Sequence, residues 1–231
     1  PQKVRYREFY QCDADIVGVS GMEADAELVS LKTTAFQRLG FSNFTVKINN
    51  RKLLTGIGQY SGVPDDQLAD LYRSVDKFDK IGAQGVEKEL VERGVDASAV
   101  HRMMDLIQSH EPGVANLDLI DRKMGSIEAA AEGLSELREL ADNIAALGVP
   151  PELYAFDFTM VRGLGYYTGP IFETVITEPN LGSLSGGGRY DGLIGLFRRE
   201  SLPTTGTSLG IERITDLMDE LGLYPPDLSG T

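Results

Sequence analysis

The chain has 231 residues, 42% hydrophobic and 25% charged, the proportions of an ordinary globular protein with room for one large domain or a core carrying a smaller insert. Its 35 acidic against 22 basic side chains give a formal charge of −13, which excludes a surface coated in positive charge and leaves any nucleic-acid contact to a local patch. One cysteine, Cys12, and two histidines, His101 and His110, exclude an internal disulfide and a Cys/His zinc centre, and no apolar run approaches the roughly 18 residues of a membrane span, so a cytoplasmic protein with no membrane partner is expected.

Residues 7–17 (REFYQCDADIV) separate at period two and predict a strand. Glu8, Tyr10, Cys12, Ala14 and Ile16 form one face, mostly fit for a core; Arg7, Phe9, Gln11, Asp13, Asp15 and Val17 form the other. A helix follows, with Ser20 and Glu23 in capping-box spacing, Leu28, Leu31, Ala35 and Leu39 on its apolar side, and Gly40 past its end. Residues 44–49 alternate as a second strand, and 51–60 read as a helix. The middle is helical throughout from about Val63-Pro64-Asp65-Asp66. Its last helix carries Ile127, Ala130, Leu134, Leu137, Ala141 and Ile144 at spacings of three and four, stopped by Gly148, Pro150 and Pro151. That stripe spans only about three heptads, which suits packing within the domain better than a dimerising coiled coil. Strands return after residue 153, at 171–177, 183–185 and 205–209, before a final helix over 211–221. Strands, a helical insert and strands again predict an α+β core interrupted by a helical module, with core segments 1–61 and 153–231 around an insert at 62–152. The insert holds 19 acidic and 9 basic residues, whereas 11 of the 26 glycines fall within 161–210.

Four places carry chemistry. Same-face strand residues lie about 6.7 Å apart, so Arg7, Phe9, Gln11, Asp13 and Asp15 make a row about 27 Å long. A solvated sheet face accounts for the polar members; Phe9 argues against it, because the row then offers a stacking plate beside charged donors and acceptors. MVRGLGYYTG at 160–169 presents Arg162 between small residues and adds two rigid phenols, Tyr166 and Tyr167. SLSGGGRYDGL at 183–193 lets backbone approach a ligand at Gly186, Gly187 and Gly188, with Arg189, Tyr190 and Asp191 next. No Gly-Lys-Ser/Thr follows, so it is not a Walker loop. In SLGIERI at 208–214, Arg213 opposes the helix dipole at a helix start, a mild cost that suits a ligand-facing arginine.

Taken in order, REFYQCDADIVG, INNRK at 48–52, VRGLGYYTG, GGGRYDGL and SLGIERI resemble the histidyl-tRNA synthetase family, with INNRKLL and SVDKFDK similar to its archaeal and eukaryotic-like branch. The resemblance implies a class II aminoacyl-tRNA synthetase: an antiparallel sheet flanked by helices, ATP and Mg²⁺ as cofactors, histidine and tRNA(His) as partners, and a homodimer. It implies that Phe9 lies under adenine with Arg213 stacked opposite, and that Arg5 and Arg7 face ATP phosphates. Gln11 and Asp15 would hold the substrate histidine. Arg162 would contact the α-phosphate and the histidine carboxylate, with Tyr166, Tyr167, Tyr190, Gly187 and Gly188 lining the amino-acid pocket. Activation of this kind needs positioned cations rather than a side-chain nucleophile, consistent with the missing triad.

Two departures bear on the expectation. The family usually has Asp where this chain has Gly165, which predicts looser positioning of Arg162. The chain also begins inside motif 2, without motif 1, the leading motif 2 arginine or an anticodon-binding domain, as expected of about half an enzyme. The alternatives are catalytically silent relatives: a histidine-binding regulatory subunit of ATP phosphoribosyltransferase, or a module sensing uncharged tRNA. Phe9, Arg162 and Arg213 together favour the enzyme, because a histidine sensor has no need of an adenine stack.

Overall fold

The computed structural model describes residues 7–108, 113–161, 165–179 and 182–225. In chain order the elements are β1 (Gln11–Val17), α1 (Glu23–Arg38), β2 (Thr45–Asn50), α2 (Arg51–Ser61), α3 (Leu68–Val75), α4 (Phe78–Glu92), α5 (Ala97–Ile107), α6 (Ala115–Met124) and α7 (Glu128–Ala146). They continue with β3 (Tyr154–Phe156), β4 (Pro170–Val175), β5 (Ser183–Arg189), β6 (Thr204–Gly210) and α8 (Ile211–Glu220). The strands form one sheet in the order β1-β6-β5-β4-β2-β3, antiparallel between neighbours except for β2 with β3. The α+β expectation is met, and Pro170 sits at a strand start, where its missing N–H costs least.

The pleat gives the sheet two different faces. Val46, Ile48, Phe172, Thr174, Ser185, Thr205, Thr207 and Leu209 are buried on one, beneath α1, α2 and α7. The opposite face carries Gln11, Asp13, Asp15, Glu173, Gly186, Gly188, Gly206 and Ser208, linked across strands by the pairs Asp13 with Ser208, Ser208 with Gly186, and Gly186 with Glu173. The helical module reaches this second face at its β2–β3 end, where Phe78, Ile107 and Gln108 close a cavity of about 460 Å³ over Thr45, Lys47 and Asp157.

α1 differs from its predicted shape. It begins at Glu23 with Met22 as N-cap and no side-chain cap, so the Ser20–Glu23 capping box does not form. Of its predicted apolar side, Leu28 is buried, Ala35 and Leu39 pack half-buried against the core and Leu31 is exposed; Ala26, Val29, Lys32, Thr33 and Phe36 are buried as well. Lys32 and Asp25, which look solvent-facing by type, are fully buried, Lys32 with its ammonium 4.8 Å from the centroid of the Phe172 ring. Gly40 does follow the helix end with φ +90°. The stripe on α7 is packing within the chain: Ala130, Leu134, Leu137, Ala141 and Ile144 are buried, against α1, α2, β2 and β4. The crossing with α2 is close enough that a Cβ on Gly133 would lie 2.6 Å from the Leu53 backbone nitrogen.

β1 is shorter than predicted, starting at Gln11, and among the described residues it lies at the sheet edge. Its supposed core face is open at one end: Tyr10 and Cys12 are exposed, while Ala14 and Ile16 are half-buried.

Candidate active site

The end of the open sheet face nearest the β5–β6 loop gathers residues from four segments. β1 supplies Asp15, β6 supplies Gly206, the residue after β5 is Tyr190, and the turn before β4 brings Tyr166 and Tyr167. The Tyr190 hydroxyl donates to Asp15 Oδ1. Between them lies Gly206, where an added Cβ would fall 1.9 Å from Asp15 Oδ1 and 2.8 Å from the Tyr190 oxygen. A side chain at 206 is thus incompatible with this pairing. Tyr190 also meets Tyr166 and Tyr167 at centroid separations of 6.4 and 6.5 Å, and the latter two rings are 4.3 Å apart. Burial and the adjacent carboxylate of Asp15 push the Tyr190 phenol well above the ordinary tyrosine range, so it is a hydrogen-bond donor across the physiological range.

Further along β1, Gln11 Nε2 donates to Ser208 Oγ at 2.7 Å. At that end the N–H of Tyr10 donates to Glu212 Oε1, which joins the entry of β1 to the first turn of α8. Phe9, 58% exposed, and Arg213 flank this junction; Arg213 Nη1 donates to the Ser183 carbonyl. Arg7 is exposed beyond the strand. Arg5 and Arg162 lie outside the described residues.

The strand expected at 183–185 continues through the glycine triplet, which forms the centre of β5. Gly186 and Gly188 face the site, and Gly188 passes beneath Tyr167, whose Cδ1 would be 3.0 Å from an added Cβ. Gly187 belongs to the helix-covered face by alternation, and its Cβ position is occupied by the Gly206 carbonyl oxygen 2.1 Å away. Only its backbone is in reach of the site side. Arg189 likewise turns away, to the buried face.

The motif at 160–169 is held from both ends by the residues that precede α2. Asn49, fully buried, donates from Nδ2 to the Met160 carbonyl at 2.9 Å, and the N–H of Arg51 donates to the Gly169 carbonyl at 2.9 Å. Asn50 caps α2 by accepting from the N–H of Lys52 and donates to Glu136 of α7. Gly165 has φ +122°, in the left-handed region that favours glycine. Ser208, Gly206 and Asn49 were missed as site components. Their signal is tertiary register, which no local spacing carries.

Among the described residues no three His, Cys, Asp or Glu side chains are placed to hold a metal. Mg²⁺ does not require such a cage, because it keeps several waters and takes one or two carboxylates together with phosphate oxygens. Asp13 and Glu173, each on the open face, suit single contacts of that kind. In the helical module, four cations are paired with acidic neighbours: Arg73 with Asp70, Lys77 with Glu89, Lys88 with Glu92, and Arg93 with both Asp70 and Glu89.

Known proteins share the sequence family and the fold. The family described as Histidyl-tRNA synthetase matches residues 1–214. A histidine–tRNA ligase of Aeropyrum pernix is 47% identical over 99% of this chain and 51% of its own length. The crystal structure of histidyl-tRNA synthetase from Nostoc sp. PCC 7120 superposes with a TM-score of 0.87 at 30% identity, covering 95% of this chain and 52% of that one. A Bacillus halodurans protein described as an ATP phosphoribosyltransferase regulatory subunit/histidyl-tRNA synthetase shares the fold, with a TM-score of 0.78 at 24% identity, over 90% of this chain and 53% of that one. The chain spans about half the length of the curated relatives it matches. With its motifs, sheet and tyrosine–carboxylate cluster in this order, the chain belongs to the histidyl-tRNA synthetase family.

Proposed function

We propose that this chain forms the amino-acid-activating part of a histidine–tRNA ligase, acting in the cytoplasm within a homodimer. The observation that carries the reading is the hydrogen bond from Tyr190 to Asp15 across side-chain-free Gly206, walled by Tyr166 and Tyr167. A carboxylate, a phenol held in its donating form and aromatic walls suit a small ligand with an ammonium group and a ring of polar nitrogens. Asp15 would meet the ammonium group, and Gln11 and the tyrosines would orient the imidazole and carboxylate. Hydrogen-bonding such a ring discriminates steeply, since an apolar analogue leaves buried polar groups unpaired, an effect of about 10⁴ or more.

In the proposed reaction a carboxylate oxygen of histidine attacks the α-phosphorus of ATP and pyrophosphate leaves, giving histidyl-adenylate. The terminal ribose hydroxyl of tRNA(His) then attacks the adenylate carbonyl and AMP leaves. The chain's part is to bring two anions together: Phe9 and Arg213 would sandwich adenine, while Arg7, Arg5 and Arg162 would neutralise phosphate charge as it shifts. Bound Mg²⁺ would neutralise the remaining oxygens of the pyrophosphate leaving group. The division into core segments 1–61 and 153–231 around a module at 62–152 is proposed as its functional organisation, with α7 forming the seam between module and sheet.

The test is histidine-dependent ATP–pyrophosphate exchange, measured on the full-length protein. Exchange that requires histidine supports the reading. Histidine binding without exchange overturns it in favour of a histidine-binding, non-catalytic relative. Residues 1–231 alone are expected to give little or no tRNA charging.

A further inference from the structure

Arg189 lies between the glycine triplet and Tyr190. It is 2% exposed on the helix-covered side of the sheet. Its Nε donates to Asp25 Oδ2 at 3.0 Å, Nη1 to the Val19 carbonyl at 3.1 Å, and Nη2 to the Gly21 carbonyl at 2.8 Å and to Asp25 Oδ2. Asp25 is fully buried in the first turn of α1, and its Oδ1 accepts from the Thr205 hydroxyl at 2.8 Å.

These partners are the immediate neighbours of the site. Val19 and Gly21 directly follow the strand that carries Asp15, and Thr205 precedes Gly206. The Arg189 carbonyl accepts from the N–H of Thr168 at 2.8 Å, the residue after Tyr167. The arginine stem lies so close to Gly169 that an added Cβ there would be 3.1 Å from Arg189 Cδ. One guanidinium therefore touches the backbone behind Asp15 and, through its own main chain, the segments bearing Tyr167 and Tyr190. Stability alone is a weak reason for such a pair, because apolar residues of similar volume in place of a buried ion pair are often as stable. What the pair adds is direction, since a planar guanidinium fixes several acceptors at set angles and a lysine ammonium does not.

We propose that Asp25 and Arg189 are positioning residues, which set the separation of Asp15 and Tyr190 and seat Tyr167, and thereby set the affinity of the pocket for its amino-acid ligand. They do not touch the ligand. The affinity part rests on the reading of this pocket as the histidine site.

The test compares the chain with Asp25→Leu/Arg189→Met, which keeps apolar bulk, and with Arg189→Lys, which keeps charge but not the fork. Two readouts separate the two claims. The first is the spectrophotometric titration of the Tyr190 phenol, identified by its loss in Tyr190→Phe, which needs no ligand. In a variant whose circular dichroism shows an intact fold, this titration moves down toward that of an exposed tyrosine if the proposal holds. The second is histidine binding by calorimetry, expected to weaken tenfold or more in both variants. An unchanged Tyr190 titration in either folded variant overturns the positioning claim. Loss of the fold in both variants also overturns it, since the pair is then merely structural. Absence of histidine binding by the unsubstituted protein, with the titration shifted as expected, overturns the reading of the pocket and leaves the positioning of Tyr190 standing.

Discussion

Tyr190 and Asp15 meet through a hydrogen bond that spans the middle strand of three, directly over Gly206. An added Cβ would displace the carboxylate end of Asp15 and the hydroxyl of Tyr190, both ends of movable side chains, rather than backbone. The fold can therefore accommodate Gly206→Ala while the pairing cannot. The expected outcome is a histidine dissociation constant raised about tenfold or more, corresponding to about 1.4 kcal/mol, with only a small change in melting temperature. Calorimetric titration with histidine checks this, and an unchanged affinity refutes the assigned pocket.

Asp25 gives a pH signature. Burial pushes its carboxyl up to about 6, against the opposing pull of Arg189 and Thr205. The folded chain then holds this proton more tightly than the unfolded chain, whose Asp titrates at about 4. The stability contributed by that difference is fully present below about pH 4 and is lost as pH rises through 6. Relative to Asp25→Asn, the unsubstituted protein should lose stability between about pH 4 and 6, with a slope of at most about 1.4 kcal/mol per pH unit, one proton's worth. Chemical denaturation of both proteins across that window measures it. Parallel stability curves would contradict the expectation.

These residues also mark where the sequence was legible and where it was not. That Gln11 and Asp15 share a sheet face was readable because alternation is a local pattern, whereas the meeting of Tyr190 with Asp15 and Tyr167 depends on contacts between distant segments. The helical stripe on α7 was readable for the same reason. The buried side of α1 was legible only in part, through Leu28, Ala35 and Leu39, because Asp25 and Lys32 count as polar in any periodicity, yet Arg189 and Phe172 receive them in the core. The strand was expected to end at 185 because glycine is a poor strand former. It continues through 186–188 because Tyr167 and the β6 backbone approach where side chains would stand. The burial of Arg189 follows from the same point: the strand runs through the triplet, and its pleat turns this side chain to the helix-covered face. Ser208 and Gly206 gave no local signal, since their roles exist only once β1 pairs with β6.

The α2–α7 crossing predicts a core substitution that behaves against helix propensity. Gly133→Ala should gain up to about 1 kcal/mol from helix propensity. The new methyl, however, would lie 2.6 Å from the Leu53 nitrogen and 3.1 Å from its Cα, backbone atoms that cannot rotate aside. Overpacking of this kind costs about 1–3 kcal/mol, so the net effect is destabilising. A chain of this size loses about 2–4 °C of melting temperature per kcal/mol. Thermal unfolding should show a drop of several degrees, and a raised melting temperature would mean that the helices part without cost.

Gly165 separates the family pattern from the local backbone. A carboxylate at this position, usual in the family, would be expected to steady the turn that carries Arg162 and raise adenylate formation. The backbone opposes that expectation. At φ +122° a residue with a Cβ is strained by about 1–3 kcal/mol, whereas among the described residues no atom lies within 4 Å of the Cβ position to hold a new side chain in place. Strain without a partner should dominate, so Gly165→Asp is expected to lower the melting temperature by a few degrees and to leave histidine-dependent exchange unchanged or lower. Exchange and thermal unfolding measured on the full-length protein decide between the two. A rise in exchange with an unaltered melting temperature would show that the turn readily adopts the conformation an aspartate needs, and that the left-handed backbone at Gly165 is a consequence of the glycine rather than a requirement of the loop.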